Sequence, residues 1–198
     1  CDLIIAGGTE ANINEITIAG FTVMRALSTQ NEVPAQASRP FDARRDGFVL
    51  GAGCSLFVLE RLEHALERGA RIYAEVLGSA HSSDTYHIAT PDPQARGAIR
   101  AMSWALRDAG IEPAEVDYIN AHGTGTAAND RVETQAIRLA FGALADRLPI
   151  TAGKSALGHA FGASAGLELI SCVQTLREGL IPPILNYLGP DPECDLDL

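Results

Sequence analysis

A run of small residues behind a short apolar segment constrains the fold of this chain most strongly. Residues 148–152 are largely apolar and predict a buried strand. Residues 154–168, KSALGHAFGASAGLE, lead from there into a helical pattern that ends near Arg177. Gly, Ala and Ser let a helix N-terminus approach other backbone or a ligand closely. We therefore predict a strand, a turn that carries Lys154 and His159, and a helix. A simple helix-packing site explains the small residues equally well.

Apolar patterns of two kinds alternate along the rest of the chain. Helical patterns cover residues 16–27, 61–68, 95–109, 130–144 and 162–177. Strand patterns cover residues 3–8, 72–77, 116–120 and 148–152, and residues 46–60 predict a hairpin around Gly51-Ala52-Gly53. Strands separated by helices indicate βαβ units, so we expect an α/β protein with a largely parallel, helix-covered sheet.

Composition excludes several classes of function. With 198 residues, 46% of them hydrophobic, the chain can bury a sizeable core, and no apolar run reaches the roughly 20 residues of a membrane helix. The net charge of −10 argues against nucleic acid and anionic membranes as partners. Four cysteines without paired metal spacing indicate reduced thiols and a cytoplasmic protein. Both ends stop within a pattern, so we expect an incomplete protein.

A second glycine-rich turn, Ala-His-Gly-Thr-Gly-Thr at residues 121–126, follows the predicted strand 116–120. His122 therefore lies just past the carboxyl end of a strand, where open α/β sheets place ligands. The hydroxyls of Thr124 and Thr126 can bind a polar, chain-like ligand.

Two acidic residues lie three apart in the helix that follows this turn. Asp130 and Glu133 have the spacing of a capping box, which explains both. Glu133 in the first turn could instead reach a catalytic neighbour.

The two histidines, His122 and His159, fit a metal site, a proton-transfer pair or coincidence. Zinc normally needs a third protein ligand, and neither histidine has a carboxylate or cysteine at ligand spacing, so we predict no metal. Neutral imidazoles at helix N-termini suit the stabilisation of negative charge on a carbonyl oxygen. Lys154 could hold a carboxylate or tune the histidines. Glu168 is either a helix surface residue or a buried partner of Lys154.

Another loop carries His81, Asp84 and His87. Their spacing invites a metal interpretation, but spacing within a loop fixes no geometry. We predict hydrogen-bonded loop residues near a substrate channel.

In these motifs the chain resembles the β-ketoacyl-acyl-carrier-protein synthases, which are condensing enzymes of the thiolase-like fold. It is most similar to the elongating type of bacterial fatty-acid and dissociated polyketide synthesis. The matching stretches follow the family's order along nearly the whole chain: residues 25–29, 38–42, 45–51, 82–84, 122–126, 154–159, 182–183 and 191–195.

The resemblance implies an α/β fold of layered α-β-α-β-α architecture, present here in part. Residues 1–69 would end the N-terminal thiolase-like half, and residues 70–198 would form most of the C-terminal half. The nucleophilic cysteine of the family would lie before Cys1, and a glycine-rich segment with a gating phenylalanine beyond Leu198. We therefore expect the chain by itself to form no acyl-enzyme.

The resemblance also implies a reaction and roles for the residues. An acyl chain moves to a cysteine, malonyl-acyl carrier protein loses carbon dioxide, and two histidines stabilise the enolate oxygen. The implied catalytic residues are His122, Lys154, His159 and Glu168. Thr124 and Thr126 match residues lining the phosphopantetheine tunnel, and Phe21 an acyl-pocket position.

No cofactor is implied beyond the phosphopantetheine of the acyl carrier protein. That protein is the expected partner, together with a second subunit in a homodimer or a ketosynthase heterodimer. Carrier proteins are acidic, so Arg39, Arg44 and Arg45 are either a local basic docking patch or simply solvated charges.

Several alternatives remain open from the sequence. Residues 129–134 look more like dissociated polyketide enzymes than fatty-acid enzymes, and the substrate stays open between the two. A non-catalytic, chain-length-determining partner subunit would share the fold but lack the nucleophile. A thiolase-like enzyme that uses coenzyme A alone is disfavoured by the Lys154–His159 pattern. Cys54 is no substitute nucleophile, because no base or helix N-terminus would activate its thiol.

Overall fold

The computed structural model describes all 198 residues, which form helices joined by long irregular segments and two short sheets. The helices are α1 (Glu15–Val23), α2 (Leu62–Glu67), α3 (Arg96–Ala109), α4 (Ala127–Phe141), α5 (Lys154–Leu157) and α6 (Ser164–Glu178). The strands are β1 (Leu3–Glu10), β2 (Gly53–Glu60), β3 (Ile119–Asn120) and β4 (Ile150–Thr151).

The first sheet pairs β1 with β2 in antiparallel fashion, with Leu3 opposite Glu60 and Glu10 opposite Gly53. The predicted hairpin over residues 46–60 is therefore wrong. Its first half pairs elsewhere, since Phe48 bridges to Leu27.

Gly51 explains why the chain does not turn back on itself there. Its N–H donates to the carbonyl oxygen of His159, and a Cβ at this position would lie 2.5 Å from the carbonyl oxygen of Leu157. This glycine serves a close approach of two backbones and does not form a hairpin turn. The contact fixes the position of the His159 backbone.

The second sheet pairs β3 with β4 in parallel, as predicted, but through only two residues of each strand. Residues 72–77 form no strand, contrary to the prediction, because no segment of this chain pairs with them. Helix α6 packs against β2, so contacts cross the predicted division between residues 69 and 70. That division stays a prediction.

Helix boundaries follow local capping chemistry. Gly110 ends α3 in the left-handed conformation, directly after the predicted helical pattern over residues 95–109. Helix α4 begins earlier than predicted, because the Thr126 side chain caps it by accepting from the N–H of Asn129. The predicted capping box of Asp130 and Glu133 is wrong, since both residues lie inside the helix and bind the preceding loop.

The small residues of the 154–168 stretch do pack closely. A Cβ on Gly8 of β1 would lie 1.8 Å from the carbonyl oxygen of Gly162, and one on Gly166 would lie 1.8 Å from Ser55 Oγ. The start of α6 therefore lies directly on the first sheet. The same stretch therefore packs a helix against the sheet and carries Lys154 and His159.

The main core lies between α4, β3, β4 and the C-terminal segment. Its buried members include Phe41, Ile137, Phe141, Leu148 and Ile150. By contrast, β1 lies at the surface of this chain, where Ile4 and Ile5 are exposed. No helix combines the length and the apolar character that crossing a bilayer would require.

Candidate active site

The loop after β3, the short helix α5 and the start of α6 converge on one site. They bring together the four residues proposed from the sequence, namely His122, Lys154, His159 and Glu168. The ring centroids of His122 and His159 lie 5.4 Å apart, with ring planes at 86°. Two imidazole edges at this separation can reach one small group between them.

Lys154 links the members of the site. It is the only lysine among 15 basic residues of the chain, and its side chain is almost fully buried. Its ammonium donates to Glu168 Oε1 at 2.6 Å and to the His122 carbonyl oxygen at 2.7 Å. Of the two interpretations of Glu168 left open by the sequence, the buried partner of Lys154 is the one observed. Burial raises the pKa of Glu168, while the Lys154 ammonium opposes that rise.

The hydrogen bonds of both imidazoles define the same tautomer. Lys154 Nζ lies 3.3 Å from His122 Nδ1, and the backbone N–H of Phe161 donates to His159 Nδ1 at 3.2 Å. An ammonium and a backbone N–H only donate, so both Nδ1 atoms act as acceptors. In a neutral ring the proton then resides on Nε2. Each histidine thereby offers one Nε2–H donor.

Both rings are neutral at physiological pH. Burial, followed by the Lys154 charge and then His159, lowers the pKa of His122 to about 4. Burial and the Lys154 charge lower the pKa of His159 to about 4. We expected each histidine to be held neutral at a helix N-terminus. This is wrong for His122, which lies in a loop well before α4 begins at Ala127.

Glu133 holds the backbone beside His122. Its two carboxylate oxygens accept from the N–H of His122 at 2.6 Å and of Gly123 at 2.8 Å. Burial raises the pKa of Glu133 to about 7 against the effect of these bonds. Of the two explanations left open by the sequence, the contact with a site residue is the one observed.

The three proposed substrate-binding residues differ in their surroundings. Thr124 is buried, its Oγ lies 3.0 Å from that of Thr126, and Thr126 also caps α4. Both hydroxyls thus have partners within the loop. Phe21 is half-buried and stacks on Phe161 with centroids 5.0 Å apart.

An aromatic cluster, which the sequence patterns did not predict, surrounds His159. The Phe161 ring stacks on the imidazole with centroids 4.3 Å apart and planes at 14°, and Phe48 approaches its edge at 5.3 Å. The available signal was a single aromatic residue within a run of Gly, Ala and Ser. Phe161 has a φ of +35°, a backbone conformation that few non-glycine residues adopt.

The remaining candidates lie outside the site. Asp84 accepts from the N–H of Asp92, and His87 Nδ1 accepts from the N–H groups of Ala89 and Thr90, as expected for hydrogen-bonded loop residues.

The suggested basic patch does not form as a surface. The Arg45 side chain is only 3% exposed and pairs with Asp191, while Arg44 pairs with Asp42. Arg39 is buried and donates to the Gln36 carbonyl oxygen. Only Arg44 is exposed, and its charge and that of Arg45 are each paired with a carboxylate of the chain, so the three arginines form no common basic surface.

Comparison with known proteins agrees with this geometry. Residues 1–65 match the beta-ketoacyl synthase N-terminal domain, and residues 73–188 match the beta-ketoacyl synthase C-terminal domain. The chain is 52% identical over 98% of its length to a 3-oxoacyl-[acyl-carrier-protein] synthase 2 of Synechocystis, and 50% identical over 99% to one of Coxiella burnetii. It spans about half of these relatives, 47% of each.

Solved structures give the same result. A type II polyketide ketosynthase in complex with its acyl-carrier protein superposes with a TM-score of 0.97 and 39% identity, covering all of this chain and 48% of that one. A beta-ketoacyl synthase from Burkholderia phymatum superposes at 0.92 with 40% identity, covering 99% and 47%. The ishigamide ketosynthase/chain length factor gives 0.90 and 41%, covering 100% and 46%. The chain belongs to the β-ketoacyl synthase family and has its thiolase-like α/β fold.

Proposed function

We propose that the protein containing this chain catalyses the decarboxylating condensation of an acyl thioester with malonyl-acyl carrier protein, giving 3-oxoacyl-acyl carrier protein. One observation carries the proposal. His122 and His159 are neutral, adjacent and present Nε2–H donors, which is what a developing enolate oxygen requires. Fatty-acid or dissociated polyketide synthesis would use the same chemistry.

The proposed reaction assigns a role to each group. The bond between the malonyl carboxylate and the α-carbon breaks, carbon dioxide leaves, and the electron pair moves onto the thioester oxygen. The Nε2–H groups of His122 and His159 stabilise that oxygen, and Lys154, paired with Glu168, keeps both rings neutral. The α-carbon then attacks the acyl thioester and releases a cysteine thiolate.

The acyl-carrying thiol belongs to a residue outside these 198 in this proposal. Cys54 is exposed on β2, and Cys172 contacts Asn120. Burial raises the pKa of the Cys194 thiol to about 11, which leaves it protonated. None of these thiols is bonded to either site histidine.

The proposed partners follow from the same chemistry. The phosphopantetheine of an acyl carrier protein would enter beside Thr124 and Thr126, and the acyl chain would contact Phe21. The solved ketosynthase complex with an acyl-carrier protein supports this partner, and the ketosynthase/chain length factor supports a heterodimer. A homodimer is the other assembly that we propose. All four cysteines are free, which suits the reducing cytoplasm where we place the reaction.

Release of carbon dioxide from malonyl-acyl carrier protein by the full-length protein tests this function. We expect His122→Ala and His159→Ala each to lower the rate by about 100-fold or more, the usual cost of losing an oxyanion donor. His64→Ala is the matched control, because His64 lies on α2 and bonds to Glu60. A native rate in either site variant would overturn the proposal.

A non-catalytic partner subunit is the second candidate. The resemblance of the chain to the ketosynthase/chain length factor makes it relevant. A partner subunit has no need for two neutral imidazoles held by a buried lysine, so the site favours the enzyme. Decarboxylation by the purified full-length protein without a second subunit distinguishes the two.

A further inference from the structure

Ser164, the first residue of α6, lies behind the His159 ring. Its side chain is buried, and its Oγ accepts from the backbone N–H of Ala160 at 2.9 Å. The same Oγ lies 3.2 Å from His159 Nδ1. No other side-chain oxygen hydrogen-bonds to this imidazole. Neither the sequence motifs nor the proposed reaction makes use of this residue.

The direction of the Ser164–His159 hydrogen bond follows from the neighbouring donors. The Ala160 N–H can only donate, so it occupies a lone pair of Ser164 Oγ and leaves the hydroxyl proton free. His159 Nδ1 already accepts from the Phe161 N–H, so it carries no proton. The hydroxyl therefore donates to Nδ1, whose single lone pair is shared between the serine O–H and the Phe161 N–H.

We propose that Ser164 is a positioning residue that holds His159 as the Nε2–H tautomer, and this inference rests on the proposed function for its catalytic meaning. The alternative Nδ1–H tautomer would point its proton at the Phe161 N–H and deprive the serine hydroxyl of its acceptor. An imidazolium would do the same, because it carries a proton on both nitrogens.

The charged groups around His159 do not select its tautomer, so the hydrogen bonds to Nδ1 do. Lys154 of α5 provides the nearby positive charge and is paired with Glu168 of α6. His122, in the loop after β3, is neutral, and Glu133 of α4 binds the His122 backbone. No carboxylate contacts the His159 ring to select the opposite tautomer. Phe48 and Phe161 cover its edge and face.

Nitrogen-15 solid-state NMR of the full-length protein, labelled at histidine, tests the inference directly. The His159 signals are assigned by their loss in His159→Gln. We expect a single Nε2–H tautomer in the parent protein. In Ser164→Ala we expect a detectable Nδ1–H population and a higher pKa of His159, whereas Ser164→Thr, which keeps a hydroxyl, should resemble the parent.

Ser155→Ala is the matched control. Ser155 is also buried, donates to the Ala152 carbonyl oxygen and accepts from the Leu185 N–H, but it makes no contact with an imidazole. Ser155→Ala should lower the melting temperature by about as much as Ser164→Ala does and leave the His159 signals unchanged. Equal His159 signals and pKa in the parent and Ser164→Ala would overturn the inference, even if activity fell.

The rate of malonyl decarboxylation gives a second readout. One hydrogen bond is lost and the Phe161 N–H remains, so we expect a three- to tenfold fall in Ser164→Ala at neutral pH, about the effect of one net hydrogen bond. The acid limb of the pH profile should move to higher pH. Full decarboxylation by His159→Ala would reject the proposed function and leave the NMR result for Ser164 standing.

Discussion

At the scale of single residues, Lys154 determines the state of the whole site. An ammonium is a compact charge with three donors, and here the three face Glu168, the His122 carbonyl oxygen and His122 Nδ1. The planar guanidinium of arginine presents a different donor geometry. This explains why the only lysine of an otherwise arginine-based chain occurs here. The same charge helps to lower the pKa of both histidines.

Replacement of Lys154 by methionine should therefore be costly in two ways. Glu168 would be left half-buried without a cation, and we expect a loss of about 3–5 kcal/mol in the free energy of unfolding, the usual cost of breaking a buried pair. The pKa of His122 and of His159 should rise, because a positive neighbour is removed. Chemical denaturation and histidine NMR titration of the full-length protein measure the two effects.

The double variant Lys154→Met/Glu168→Gln is the control for that experiment. It removes both charges of the pair, so most of the lost stability should return while the histidine pKa values stay raised. A Lys154→Met protein as stable as the parent would show that the pair contributes nothing to folding.

Phe161 offers a second prediction at this scale. Leucine in its place removes the ring stacked on His159 and admits water, so the pKa of His159 should rise from about 4 towards its ordinary value. Phe48→Leu is the matched control, since Phe48 meets the imidazole only at its edge. An unchanged His159 titration in Phe161→Leu would mean that stacking does not keep the ring dry.

At the scale of elements, the sequence predicts best where the signal is local. The 3.6-residue pattern and Gly110 define α3, and the β1 pattern correctly predicts a strand. Strand partners are decided by distant segments. The predicted hairpin over residues 46–60 does not form, because β2 pairs with β1. Residues 72–77, which were predicted to form a strand, pair with no other segment of the chain.

The site shows the same division between local and tertiary information. Lys154, His159 and Glu168 lie within one stretch of the sequence, where the pairing of Lys154 with Glu168 was one of two interpretations left open. His122 was marked by its strand-end position. The roles of Ser164 and Phe161 depend on how the backbone bends after Gly158, whose φ is +69°. No periodicity in the sequence reports that bend.

Thr126 gives the prediction at the scale of elements. Its side chain caps α4, so Thr126→Ala should lower stability by about 1 kcal/mol, whereas Thr126→Ser keeps the cap and should cost far less. The melting temperature of the full-length protein measures the difference. Equal losses in both variants would show that the methyl group, and not the hydroxyl, carries the contribution of Thr126.

At the scale of the whole molecule, the chain exposes more surface than a protein of its mass usually does. Its accessible surface is 11802 Å², whereas a compact monomer of 20.9 kDa has roughly 9,000 Å². Large apolar side chains contribute to this surface, with Ile5 of β1 and Leu56 and Val58 of β2 all more than half exposed. Such a surface needs cover in the working protein.

The isolated chain should therefore associate in solution. We expect the 198-residue polypeptide to bind a hydrophobic dye such as ANS strongly and to form large oligomers in light scattering, while the full-length protein binds little dye and forms no assembly larger than its dimer. The double variant Ile5→Lys/Val58→Lys places charge on the exposed face and should reduce both signals in the isolated chain. A monomeric isolated chain that binds no dye would contradict the surface argument.

The stability of the full-length protein should depend on pH through the proposed active site. His122 and His159 have a pKa of about 4 when folded and 6.5 as the ordinary value, so the unfolded chain binds more protons between these limits. Stability should therefore rise with pH from about 4 to 6.5. Glu133 acts in the opposite direction, because its pKa is about 7 when folded and 4.5 ordinarily, so its contribution falls as pH rises through that window.

Two histidines against one glutamate predict that the net contribution of this site to stability rises with pH, and removal of the histidines should reverse the sign of that contribution. We expect the melting temperature of the parent to increase between pH 4.5 and 6.5. In His122→Gln/His159→Gln the contribution of Glu133 should dominate this site, so the increase should shrink or become a decrease. Adding Glu133→Gln to that double variant should abolish the decrease. An unchanged slope in the double variant would mean that the imidazoles take up protons freely in the folded protein, which is incompatible with neutral donors at pH 5.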